Sequence, residues 1–272
     1  MIGRLFGISL LLFITLWPGF VFASEVDESN SFSLGVIPQQ AAKKIHDTWT
    51  PFTTYIKQQT NYPFYIYGSP DIPTFENRLF TGKFDLAYVN PRLFLEAAKH
   101  VGYLPLAKEG DKQLKGIIVV AKDSPYKTIK DLMNARFVSP KNAFAASALT
   151  RLNLQSQGML VSNRFVKTHT QGYALVVKGA VDAAGGVSRT FESLAPEIKS
   201  KLRVLWESDG VNPHALIIHP RVNAKVKERI LDAILDFKTQ PEGRLFYEGL
   251  KMNPFIPAES SDWDDVRKLI DQ

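Results

Sequence analysis

The chain contains no cysteine. Disulfides, thiol nucleophiles and thiolate metal sites are excluded with it, as is a lipid anchor on an N-terminal cysteine. A Gly-rich phosphate loop with its lysine, a nucleophile elbow and a paired-histidine zinc motif are also missing. Five histidines are present (His46, His100, His169, His214, His219), but they lie far apart in the chain. His214 and His219 flank one expected strand, and alternation puts them on opposite faces. No metal or other cofactor is therefore expected, and with no acid/base or nucleophile set in view an enzyme is the weakest reading. No basic run is interleaved with aromatics, so nucleic acid is not an expected partner. There is no internal repeat, low-complexity tract or long linker, and only one stretch is apolar enough to cross a membrane.

That stretch is at the start. Met1-Ile2-Gly3-Arg4 is short and basic, residues 5–22 are almost continuously apolar, and Val21-Phe22-Ala23 puts small residues at the −3 and −1 positions. Ser24-Glu25-Val26-Asp27 then turns polar. This is the layout of a secretory signal peptide cleaved after Ala23, which sends the protein to the periplasm. An uncleaved anchor is the alternative, but Pro18 and Gly19 break the run. Removing Arg4 with the signal lowers the net charge from +6 to +5. A mild positive field of that kind suits an anionic ligand.

The rest, at 45% hydrophobic and 22% charged over the whole chain, has a globular composition. Short apolar runs expected as strands (32–37, 62–67, 84–89) alternate with helical patterns, and Asn90-Pro91 opens a helix with proline at a favoured position. From Gly116 the pattern restarts, with strands expected at 117–121, 137–138, 165–168, 181–184 and 203–206. One further strand, 215–219, precedes a helix carrying Val226, Ile230, Ala233, Ile234 and Phe237 on one stripe. Such alternation predicts an α/β protein of two lobes, each a mostly parallel sheet flanked by helices. The expected lobes are 24–115 with 208–272, and 116–207. A cleft between them is the place for a ligand.

Polar residues gather at the expected strand ends, where open α/β sheets hold their ligands. Asp71, Tyr88 and Asn90 follow strands of the first lobe; His169, Thr170, Ser188, Arg189 and Thr190 follow strands of the second. Between strand 137–138 and the next helix stands an alanine-rich turn: Asn142, Ala143, Phe144, Ala145, Ala146 and Ser147. Small side chains there leave the unpaired N–H groups of a helix start open to an anion. Each residue taken singly is also a good cap or turn residue. The expected ligand site comprises Tyr88, Asn90, Asn142, Ala143, Phe144, Ala145, Ala146, Ser147, His169, Thr170 and Arg189, with none of them catalytic.

The chain resembles the periplasmic phosphate/phosphite/phosphonate-binding proteins of ABC importers over most of its mature length. The similarity rests on Thr81-Gly82-Lys83-Phe84-Asp85-Leu86-Ala87-Tyr88-Val89-Asn90-Pro91, on Asp123-Ser124-Pro125 with Ile129-Lys130-Asp131-Leu132, and on Thr168-His169-Thr170. It continues in Lys178-Gly179-Ala180-Val181-Asp182-Ala183-Ala184 and in Pro213-His214-Ala215-Leu216-Ile217-Ile218-His219-Pro220. The resemblance implies a two-lobed type II periplasmic-binding-protein fold that closes on an oxyanion, with His169 and Tyr88 at matching positions. It also implies delivery to an ABC permease by a monomer. The family's hydroxyl-rich Ser-Thr-Ser-Gly loop is here residues 142–147, which lack most of those hydroxyls, and Asp71-Ile72 replaces the usual Asp-Tyr. Each lost bond to a charged oxygen costs roughly 1.5–3 kcal/mol, so two losses weaken phosphonate binding about a hundredfold or more. The alanine-and-phenylalanine loop and the Arg-Thr pair also resemble periplasmic sensor domains of two-component kinases. A ligand sensor signalling to such a kinase is thus the alternative to an importer's receptor.

Overall fold

The computed structural model describes residues 31–141, 143–156, 158–159 and 163–270. The expected signal peptide and Asn142 lie outside them. The chain runs through β1 (Phe32–Val36), α1 (Ala42–Thr60), β2 (Phe64–Ile66), α2 (Ile72–Phe80), β3 (Leu86–Val89), α3 (Pro91–Val101) and β4 (Leu104–Glu109). Next come β5 (Gly116–Ala121), β6 (Phe137–Pro140), a π-helical segment (Phe144–Leu149) continuing as α4 (Thr150–Ser156), β7 (Asn163–Val166) and α5 (His169–Val177). They are followed by β8 (Ala183–Val187), α6 (Ser188–Glu192), α7 (Pro196–Lys199) and β9 (Leu202–Glu207). The last elements are β10 (Ala215–Ile218), α8 (Ala224–Asp236), α9 (Pro241–Leu250), β11 (Phe255–Pro257) and α10 (Asp264–Ile270). No helix among the described residues is long and apolar enough to cross a membrane.

Two sheets result. One has the order β11-β4-β10-β3-β1-β2 and the other β7-β6-β8-β5-β9. Where alternating strands and helices predict mostly parallel sheets, both are mixed. β1 pairs in parallel with β2 and β3, and β6 with β7 and β8, while β5 and β10 run antiparallel to both their neighbours. The cause is the way the chain changes sheets. β4 ends beside the carboxyl ends of β1 and β3, and residues 110–115 carry the chain across. β5 therefore enters the second sheet from its carboxyl end and runs backward. After β9 the chain returns through residues 208–214, and β10 does the same in the first sheet. The two crossings touch through reciprocal backbone bonds between Leu114 and Val211, at 2.7 and 3.0 Å.

Each sheet is covered on both faces. In the first, Phe52 of α1 stacks on Phe246 of α9 with ring centres 5.6 Å apart and meets Phe237 and Phe255 edge-on. Trp263, fully buried, packs edge-on against Phe94 and donates its indole N–H to the Pro213 carbonyl at 2.9 Å. In the second sheet, alternate residues of the apolar run β5 serve two cores. Ile117 and Val119 pack with Tyr173 and Phe191, and Ile118 and Val120 with Phe137 and Leu154. A strand buried on both faces needs such a run.

Candidate functional site

The carboxyl end of the first sheet gathers four side chains. Tyr88, next to last in β3, stacks on His214 with ring centres 5.3 Å apart and leans on Trp49 of α1. Asn90 caps α3, its Oδ1 accepting from the Leu93 N–H at 3.0 Å. Its Nδ2 amide is buried with no partner among the described residues, and an orphaned buried donor costs about 1–3 kcal/mol unless something fills its place. Glu109 ends β4 and is buried. Its carboxylate accepts the Asn253 N–H at 2.9 Å and lies 3.2 Å from Lys112. His214 precedes the antiparallel β10, which brings it to this same end; Gln39 Nε2 lies 3.4 Å from its Nε2.

The second sheet contributes from its own carboxyl end. Residues 143–149 turn inward after β6, and Phe144, Ala145 and Leu149 join the apolar core of the first sheet. The alanine-rich helix expected there begins instead as a π-helix, and tight seating on the sheet accounts for the difference. The Ala145 and Ala146 carbonyls lie so close to β5 and β8 that a Cβ on Gly116 or Gly185 would come within 2.3 and 2.1 Å of them. The Ala145 carbonyl also accepts the Thr150 hydroxyl at 3.0 Å. Ser147 bonds Ser139 within the lobe at 2.9 Å. His169 and Thr170 form the first turn of α5. Thr168 is the helix cap.

One ion pair joins the two sets. Arg189 of α6 donates from Nη2 to Glu109 Oε2 at 2.6 Å, so a strand-end cation of one sheet is fixed to a strand-end carboxylate of the other. Burial pushes the Tyr88 hydroxyl up to about 12; Arg189 works against that shift and Glu109 with it. Burial depresses His214 to about 3, with Arg189 adding to the effect, and burial alone depresses His169 to about 4.

Both imidazoles are thus neutral in the folded chain at neutral pH, whereas in the unfolded chain they take up protons below about pH 6.5. Between that value and the folded pKa the unfolded state binds more protons, so stability falls as pH drops. Unfolding free energy measured by urea titration should be level above pH 7 and lower at pH 5, by about 2 kcal/mol for His214 alone. His214→Asn should flatten that decline, and an unchanged slope would refute the assignment.

A family model described as ABC transporter, phosphonate, periplasmic substrate-binding protein matches residues 34–263. The chain belongs to that family. The phosphonates-binding periplasmic protein of Escherichia coli (strain K12) is 20% identical over 259 residues, covering 89% of this chain and 77% of the relative. PhnD1 of Prochlorococcus marinus (MIT 9301), solved in complex with methylphosphonate, superposes with a TM-score of 0.80 at 18% identity, covering 88% of this chain and 97% of that one. The binding protein of an ABC phosphonate transporter from Pseudomonas aeruginosa gives 0.76 at 18% identity, over 88% and 85% of the two chains. The chain shares their two-lobed type II fold, and membership in the phosphonate-binding family makes it a periplasmic substrate-binding component of an ABC transporter.

Of the residues read from the sequence, Tyr88 and Arg189 share the electrostatic environment of Glu109, and Asn90 stands beside them at the strand ends. His169 sits with Thr190 on the second sheet. Phe144, Ala145 and Ala146 are buried in packing, Thr170 is exposed, and Asn142 is outside the described residues. Sequence reasoning missed Glu109 and Met252, whose sulfur lies 3.5 Å from the Tyr88 hydroxyl. It weighed His214 as a metal ligand and as part of the 213–220 segment, and not as a site residue.

Proposed function

We propose that this family member clamps a small phosphonate-like oxyanion between two lobes, residues 24–115 with 208–272 and residues 116–207, and delivers it as a monomer to an ABC permease. Arg189 and the first turn of α5 bind from one lobe, and Tyr88, the free Asn90 amide and His214 from the other. The turn at 143–147 closes the second-lobe side. The observation that carries this reading is the pairing of half-buried Arg189 with buried Glu109 beside Tyr88 and His214, a polar cluster built from strand ends of both sheets. Open α/β folds place ligands at such ends. The chain acts as a binding protein without turnover, and export with cleavage after Ala23 puts it in the periplasm.

A thermal-shift screen tests the proposal. At a concentration about a hundred times its dissociation constant, a ligand adds about 2.7 kcal/mol, which for a protein of this size is roughly 5–10 °C. Phosphate, phosphite, methylphosphonate, sulfate and thiosulfate should be compared, with methylphosphonate or phosphite expected to give the largest rise. No shift from any of them would defeat the reading.

A further inference from the structure

The protons and charges around the cleft point to a narrower ligand class, on the reading of the site just given. Thr190 has a single hydroxyl proton, which it gives to the Val187 carbonyl at 2.9 Å. His169 Nδ1 at 2.9 Å and the Tyr173 hydroxyl at 3.1 Å also bond that oxygen, so both must donate to it. The network therefore assigns the His169 proton to Nδ1 and leaves Nε2 a bare lone pair with no partner among the described residues. A neutral imidazole held this way accepts a hydrogen bond at Nε2 and offers none.

Charge is scarce on both sides. Burial depresses the His169 ring, and among the described residues no ion pair reaches it; its bond is to the neutral Thr190. Among the described residues, Arg189 is the charge that acts on His214, and Arg189 and Glu109 are those that act on Tyr88. Glu109 is buried, and its carboxylate already engages Arg189, Lys112 at 3.2 Å and the Asn253 N–H. With Lys112 and Arg189 both on Glu109, the cluster keeps one net positive charge, and Tyr88 and His214 beside it are neutral. A doubly charged oxyanion taken out of water there lacks a second counter-charge, and uncompensated buried charge is strongly unfavourable. A bare oxyanion oxygen is also repelled by an imidazole lone pair.

We propose that the site selects a singly protonated monoanion, a hydrogen phosphonate or hydrogen phosphite, whose P–OH proton is donated to His169 Nε2 while Arg189 matches its one negative charge. Selection then rests on a proton as well as on charge. Methanesulfonate, of similar size and with one charge but no proton to give, is rejected because the His169 acceptor is left unpaired.

Calorimetric titration of the wild-type protein with methylphosphonate and methanesulfonate from about pH 6 to about pH 9 is the test. Methylphosphonate affinity should be constant while the ligand is a monoanion, then fall about tenfold per pH unit once its second proton leaves. Methanesulfonate should bind at least tenfold more weakly at the low end. His169→Gln, whose amide can donate, should narrow that gap. Affinity that rises as methylphosphonate becomes a dianion, or equal binding of the two ligands, would overturn the inference while leaving the oxyanion site standing. Binding of neither at any pH would remove the site and the inference together. The wild-type pH series decides the matter even if the variant fails to fold.

Discussion

Replacing Arg189 with alanine is expected to abolish oxyanion binding and to lower stability by about 3 kcal/mol. The two effects have separate causes. Glu109 is buried, so removing its partner strands a carboxylate away from water. Lys112 and the Asn253 N–H remain beside it, which keeps the cost at the low end of the range for broken buried pairs. Binding is lost because, among the described residues, Arg189 is the cation of the second lobe that acts on Tyr88 and His214. Arg189→Lys separates the effects. An ammonium can keep Glu109 paired, so most of the stability should return. It cannot hold Glu109 and also present a planar fork to an oxyanion, so affinity should not return. Urea unfolding measures the first effect and calorimetric titration with methylphosphonate the second. Full binding by the alanine variant would remove Arg189 from the site.

The helices and central strands of both sheets were legible because their patterns are strong: the stripe on α8, the apolar run of β5, and Asn90-Pro91 at the start of α3. What was not legible traces to chain direction. β4 carries Pro105, a residue sequence patterns place outside central strands, yet there it pairs with Ile217 of β10, and β11 joins further on at residues 107–109. Without β4 there is no strand end at Glu109, and the residue that pairs with Arg189 stays hidden. His214 was hidden for a related reason. It stands before its strand, and only the antiparallel course of β10 brings a preceding residue to the ligand end. Strand-end reasoning tuned to parallel sheets finds Tyr88, Asn90 and Arg189 and passes over both partners. The alanine turn was located correctly, yet spacing alone could not tell room for a ligand from room for packing. Gly116 and Gly185 supply that information, and they lie about 30 and 40 residues away on either side.

Those glycines give the second large effect. Gly185→Ala adds one methyl 2.1 Å from the Ala146 carbonyl and 3.1 Å from the Phe137 ring. Neither neighbour is a free side-chain end, so the π-helical segment must lift from β8. Overpacking of a close-fitting core typically costs about 1–3 kcal/mol, and here the upper end is expected because backbone has to move. The melting temperature should then fall by roughly 6–12 °C. No polar group of the site is altered, so any loss of affinity for methylphosphonate reports the position of residues 143–147 alone. At least a tenfold loss is expected if that turn closes the ligand's side of the second lobe. Gly172→Ala is the matched control. It lies in α5 against Ala184 of the same strand, and its new methyl would meet its nearest neighbour at an ordinary 3.4 Å. A helix interior also favours alanine over glycine by up to about 1 kcal/mol. The control should therefore be neutral or slightly stabilising and bind normally. If Gly185→Ala matched it in both stability and affinity, the segment would not be seated on β8, and the alanines would have to be explained as an open approach for the ligand after all.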